Sequence, residues 1–150
     1  MTKLIVMCGA SGSGKSTTAR QIQKENPSFQ LISTDDLREE LLGDANNQSQ
    51  GDYIFKVAYN RIRYCLEHGF NVIFDATNLR ARDRKAIIKK YNDLDISLTC
   101  AVVCAEKEEC KSRQSLRARQ VPFEVIDKQF AKFQKPTMEE GWNEIKYYRT

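Results

Sequence analysis

Residues 9–16, Gly9-Ala10-Ser11-Gly12-Ser13-Gly14-Lys15-Ser16, constrain this chain more than any other stretch, because they match G-x-x-x-x-G-K-[ST] at every fixed position. The flanks agree with the motif: Leu4-Ile5-Val6-Met7-Cys8 is an apolar run of strand length, and a helical pattern follows Lys15. A loop between strand and helix is what the motif needs to cradle phosphate. Its glycines let backbone N–H groups turn inward, and the helix N-terminus adds partial positive charge. Gly9, Ser11, Gly12, Ser13, Gly14, Lys15, Ser16 and Thr17 are therefore the candidate phosphate-binding residues. Lys15 is the expected cation for the β- and γ-phosphates, and the Ser16 hydroxyl the expected Mg2+ ligand. A nucleoside triphosphate, ATP by default, is the expected ligand.

A chain of 150 residues fits one domain and is long enough to bury about 70% of its extended-chain surface. No run approaches the roughly 20 apolar residues of a membrane span, and the N-terminus runs straight into a strand, so a cytoplasmic protein is expected. The five cysteines sit in or beside apolar stretches and read as reduced apolar residues; with one histidine and no C-x-x-C pair, zinc is not expected. The net charge of +4 is modest, but basic residues gather in two segments. Arg80, Arg82, Arg84, Lys85, Lys89 and Lys90 form one; Lys111, Arg113, Arg117 and Arg119 form the other. Both read as solvated helix faces unless they line a phosphate-handling site.

The pattern along the chain alternates strand and helix. Helix is expected over 16–25, ended by Asn26-Pro27, and strand over 29–33. A short helix follows over 36–42, then a polar stretch, 43–51, that reads as a mobile loop. A helix over 53–68 stops at Gly69; strand follows over 70–75 and a basic helix over 80–91. A fourth strand spans 96–104, charged helices 106–119 and 122–133, and a last strand lies around 145–148. The order implies an α/β fold with a parallel sheet of about five strands, helices on both faces, and a helical lid over approximately 106–134. Ligands in such folds bind beyond the carboxyl ends of the strands, which puts the loop, Asp35 and Asp75 on one rim.

Thr34-Asp35-Asp36-Leu37-Arg38 is the second informative stretch. An acid at a strand end beside a triphosphate can orient and deprotonate an acceptor hydroxyl, and Arg38, one helical turn on, can hold an acceptor phosphate. Asp35 is read as the acid that reaches the site and Asp36 as the helix cap. Asp75 ends an apolar strand, either assisting Mg2+ through water or opening a turn capped by Thr77 or Asn78. Arg113 and Arg117 fall on one helix face, either closing over a phosphoryl group or pairing with Glu106, Glu108 and Glu109.

Taken together, the phosphate loop, Ser33-Thr34-Asp35-Asp36-Leu37-Arg38, Asp75-Ala76-Thr77-Asn78 and Arg113-x-x-x-Arg117-x-Arg119-x-Val121-Pro122 resemble the P-loop kinases typified by the phage and bacterial polynucleotide 5′-hydroxyl kinases. The motifs fall in the same order and cover nearly the whole chain. The resemblance implies Lys15 and Ser16 on ATP and Mg2+, Asp35 as general base, and Arg38 on the phosphate next to the acceptor 5′-hydroxyl. Arg117, with Arg113 as the other candidate, would contact the donor phosphates; Asp75, Thr77 and Asn78 would lie on the substrate side. A 5′-hydroxyl nucleic acid end is the implied partner. Wider relatives phosphorylate nucleosides, nucleotides or sugars, and such an acceptor is the competing expectation. A nucleotide-dependent switch is disfavoured by the lack of Asn-Lys-x-Asp and of Asp-x-x-Gly after the third strand.

Overall fold

A computed structural model describes residues 1–116 and 120–150. Its elements in order are β1 (Thr2–Cys8), α1 (Lys15–Glu25), β2 (Phe29–Ser33), α2 (Thr34–Leu42), α3 (Gly51–Glu67), β3 (Asn71–Asp75), α4 (Ala81–Lys90) and β4 (Ile96–Cys104). Then come α5 (Lys107–Arg113), a 3₁₀ turn (Gln114–Leu116), α6 (Phe123–Lys132), a second 3₁₀ turn (Met138–Glu140) and β5 (Glu144–Arg149). The strands form one parallel sheet in the order β2-β3-β1-β4-β5. Among the described residues no helix is long and apolar enough to cross a membrane.

Alternation along β1 builds both faces of the core. Leu4, Val6 and Cys8 point to one side, where Ile54, Ala58, Ile62 and Leu66 of α3 cover them; Met7 points to the other, against Ala19 and Ile22 of α1. The α3 positions are four apart, so they make one stripe. The register sets Ser33 beside Asp75 at the ends of β2 and β3. This pairing fixes the rim from which the chain turns into α2 and into the segment after β3.

Three local expectations change. The helix of the Asp-Asp stretch begins at Thr34, because Ser33, still extended (φ −118°, ψ 131°), caps it by accepting from the Asp36 amide at 3.4 Å. Asp36 is thus a first-turn acid and not the cap. The helix expected over 122–133 begins one residue later, at Phe123, with Pro122 as its N-cap. Arg84 is not on a solvated face: it is 0% exposed, and all five of its N–H groups are engaged. Nε and Nη2 donate to the two oxygens of Glu140, each at 2.9 Å. Nη1 donates to the carbonyls of Asn78 and Leu79, and Nη2 also to that of Gln134.

Candidate active site

Two glycines give the phosphate loop its path. Gly14 caps α1 at φ 94°, and Gly12 sits at φ 81° with a Cβ there falling 2.5 Å from the Cys110 carbonyl oxygen. The loop is pressed against α5, and a side chain at Gly12 would push it away. Around the loop, backbone groups are held from three directions. The Gly9 amide donates to the Thr77 carbonyl at 3.0 Å. Arg113 Nη1 donates to the Gly12 carbonyl at 2.9 Å and to Thr150 Oγ1 at 3.0 Å. The Ser11 amide donates to Gln129 Oε1 at 2.8 Å, and Gln129 Nε2 donates to Ser11 Oγ at 3.0 Å.

Inside the loop, Lys15 Nζ lies 2.7 Å from Asp75 Oδ1, and Ser16 Oγ donates to Asp75 Oδ2 at 2.7 Å. Burial alone would raise the Asp75 carboxyl, but the Lys15 ammonium and the Ser16 hydroxyl outweigh it and hold it below the ordinary carboxylate range. Asp75 is 3% exposed, and both of its carboxylate oxygens are engaged by Lys15 and Ser16. Asp75 and Ser16 together present hard oxygen donors, the set that Mg2+ takes when phosphate and water complete its shell. Among the described residues no cluster of three acidic, histidine or cysteine side chains makes an all-protein metal cage.

Two cavities meet at this point. One, of about 430 Å3, is lined by Ser11, Gly12, Gly14, Lys15, Ser16 and Thr17, with Arg20, Asp35 and Arg113 at its edge. The other, of about 560 Å3, shares Ser11, Lys15 and Asp35 and adds Thr34, Arg38, Phe55, Thr77, Val121, Pro122 and Val125. Arg38 Nη1 pairs with Asp35 Oδ1 at 3.1 Å, one helical turn apart. Arg38 is 7% exposed and its Nε has no hydrogen-bond partner, while the Asp35 side chain is 42% exposed.

Not every expected residue comes to these cavities. Gly9 and Ser13 line a small apolar cavity of about 130 Å3 behind the loop, with Val102 and Phe130. Asn78 turns inward at φ 46°, its amide donating to the Met7 carbonyl at 2.8 Å, so its side chain shapes the turn after β3 and lines neither cavity. Thr77 does line the second cavity. Arg113 donates to the Gly12 carbonyl of the loop and pairs with Glu109 at 3.3 Å, which is the ion pair expected along its helix. Arg117 and Arg119 lie outside the described residues. Sequence reasoning missed Gln129, a neutral residue on α6 with no motif to mark it. It also missed Ala45, Asn46 and Gln48, which the polar stretch after α2 brings into the second cavity.

With this geometry in place, comparison with known proteins is decisive on one point. The profile of the AAA_33 family, described as an AAA domain, matches residues 4–136. This chain belongs to the AAA_33 family. The AAA_33 chain has the P-loop kinase fold, and the sheet expected from its sequence is the one observed. It is 27% identical over 154 residues to an L-seryl-tRNA(Sec) kinase of Methanococcus maripaludis, covering 93% of this chain and 56% of that protein. A chain in the structure of the Pnkp1/Rnl/Hen1 RNA repair complex is 26% identical with a TM-score of 0.78, over 87% of this chain and 43% of that one. A gluconokinase from Sinorhizobium meliloti 1021 shares the fold at 18% identity, with a TM-score of 0.65, over 98% of this chain and 82% of its own. The AAA_33 chain thus spans about half the length of the first two proteins.

Proposed function

We propose that the chain is an ATP-dependent kinase that transfers the γ-phosphoryl group of ATP to the 5′-hydroxyl end of RNA or DNA. The observation that carries this reading is the junction of two cavities at Lys15 and Asp35, with the buried guanidinium of Arg38 in the wall of the second. In this reading the first cavity holds the triphosphate and the second the acceptor. Ser11, Gly12, Gly14, Ser16 and Thr17 line the donor phosphates, and Lys15 leaves Asp75 to meet the β- and γ-phosphates. Ser16 and Asp75 would hold Mg2+, which would neutralise charge on the phosphates. Asp35 spends Oδ1 on Arg38 and keeps Oδ2 for the acceptor hydroxyl. It takes the hydroxyl proton as that oxygen bonds to the γ-phosphorus, and the bond from phosphorus to the bridging β–γ oxygen breaks to release ADP. Arg38, desolvated and with an unpaired Nε, clamps the phosphate 3′ to that hydroxyl. Residues 106–134 act as the lid, with Arg113 already on the loop and Arg117 as its second arginine.

The competing reading is a small-molecule kinase. The second cavity, at about 560 Å3, falls within the range of roughly 300–1,000 Å3 that small ligands occupy, so a nucleoside or sugar would fit it. Arg38 separates the two. An acceptor that carries a phosphate beside its hydroxyl uses the guanidinium, and a plain nucleoside or sugar leaves it idle. Steady-state kinetics of Arg38→Ala with a nucleoside 3′-monophosphate and with the plain nucleoside is the test. A selective rise in KM for the phosphorylated acceptor supports the proposal, and equal effects on both contradict it.

A further inference from the structure

The acceptor cavity does not end at Asp35 and Arg38. Thr77, Val125 and Gln129 line it and also line a neighbouring groove of about 340 Å3. The remaining walls of that groove are Leu79, Arg80, Asp83, Lys128 and Lys132, contributed by the start of α4 and by α6. Lys128 and Lys132 are exposed and one helical turn apart, so they share a face of α6. Arg80, at the N-cap of α4, stands across from them.

These cations differ from most others near the site. Lys111 pairs with Asp127 at 2.8 Å, Arg113 with Glu109, and Arg38 with Asp35. Arg80, Lys128 and Lys132 make no ion pair and no side-chain hydrogen bond among the described residues. The one carboxylate in the groove, Asp83, faces Arg82 at 3.9 Å. Three unneutralised cations along one groove, open to the acceptor cavity, leave a local excess of positive charge suited to a chain of phosphates.

We propose that this groove carries the sugar–phosphate backbone of the acceptor strand downstream of its 5′ end. The proposal rests on the kinase reading above and extends it. The 5′-hydroxyl lies at Asp35 and the first phosphate at Arg38. The strand then crosses the saddle of Thr77, Val125 and Gln129, and Arg80, Lys128 and Lys132 take the following phosphates. The acceptor is a polynucleotide several residues long, recognised by its backbone, and affinity rises with length until the groove is filled.

The test pairs binding with transfer, on the full chain. Single-stranded 5′-hydroxyl hexanucleotides of RNA and of DNA, labelled at the 3′ end, are titrated by fluorescence anisotropy at several salt concentrations, and the same strands are offered with γ-labelled ATP. Expected for Arg80→Gln/Lys128→Gln/Lys132→Gln is hexamer binding weaker by about tenfold or more. The slope of log affinity against log salt should shrink by about 2, at roughly 0.7 for each single-strand phosphate that the protein no longer neutralises. Lys128→Arg/Lys132→Arg, which keeps the charge, retains hexamer binding and shows that loss of charge is the cause. Hexamer binding and salt slope unchanged in the triple variant, or no hexamer binding by the native chain, overturns the groove. A hexamer that binds with the expected dependence on the three cations but receives no phosphate supports the groove and fails the 5′-hydroxyl kinase reading instead.

Discussion

Lys15 Nζ and Asp75 Oδ1 lie 2.7 Å apart, both nearly buried, so the cation of the phosphate loop is neutralised by the acid that ends β3. Breaking a buried pair by removing one partner is costly, because it strands the other charge. A triphosphate is the ligand that can take Lys15 over from Asp75 and leave the carboxylate, with Ser16, for a divalent cation. Asp75→Asn should therefore raise the Mg2+ concentration needed for tight ATP binding by about tenfold, the effect expected when an oxygen ligand or its orienting partner is lost. Calorimetric ATP titrations at graded Mg2+ read this directly. Matching curves for the two proteins would remove Asp75 from the metal site.

Asp35→Asn keeps the side chain's size and removes its basicity. ATP binding should persist, and single-turnover phosphoryl transfer should fall by roughly 10²–10⁴-fold, the range for a general base. Transfer at the native rate would show that another group accepts the proton.

Gln129 occupies the Ser11 amide, one of the loop donors that a bound phosphate would engage. If phosphate must displace it, Gln129→Leu should tighten ATP binding by about two- to tenfold, the worth of one net hydrogen bond. Weaker ATP binding in this variant would mean that Gln129 preorganises the loop and does not compete for it.

The Arg84–Glu140 pair supports the turn after β3, which in turn holds the Gly9 amide through Thr77. Glu140→Gln leaves the guanidinium uncompensated and should cost about 3–5 kcal/mol, a drop in Tm on the order of 10 °C. Arg84→Met/Glu140→Leu, which removes both charges, should melt well above the single variant. A double variant no more stable than Glu140→Gln would show that the hydrogen bonds to the backbone, and not the charge pair, carry the stability.

Acid should unfold the chain through these same carboxylates. Burial works against ionisation of both Asp75 and Glu140, but Lys15 with Ser16, and Arg84 with Trp142, outweigh it and hold each below its ordinary value, 3.8 and 4.5 respectively. A depressed native pKa contributes stability that is full above the unfolded value and is lost as pH falls towards the native one. Stability from these two groups should thus be flat down to about pH 5 and decline below it. Denaturant midpoints measured from pH 7 to pH 3 check this, and Glu140→Gln should show a shallower decline.

The sheet and the phosphate loop are legible in the sequence because both rest on short-range patterns. Alternation along Leu4–Cys8 and 96–104 marks strands, and the glycine spacing marks the loop. Asp35 and Arg38 are legible for the same reason, since three residues on a helix fix their neighbourhood. The true cap of α2 is harder to read, because Ser33, Asp35 and Asp36 are all capping types in four positions and only backbone conformation chooses Ser33. Arg84 reads as one more cation in a basic helix; its partner is 56 residues away and meets it only after the fold has closed. Gln129 carries no charge and no motif, and its contact with Ser11 spans 118 residues. Ala45 reads as part of a polar loop, yet it packs to 6% exposure at the second cavity.

Acceptor choice decides what the proposed kinase does, and one assay reads it. The chain is incubated with γ-labelled ATP and Mg2+, with 5′-hydroxyl RNA, 5′-hydroxyl DNA, nucleoside 3′-monophosphates, plain nucleosides and hexoses offered side by side. Label should appear on the 5′ ends of the oligonucleotides and on the 3′-monophosphates, with little on plain nucleosides. Label on nucleosides or hexoses with none on the oligonucleotides would contradict the 5′-hydroxyl kinase.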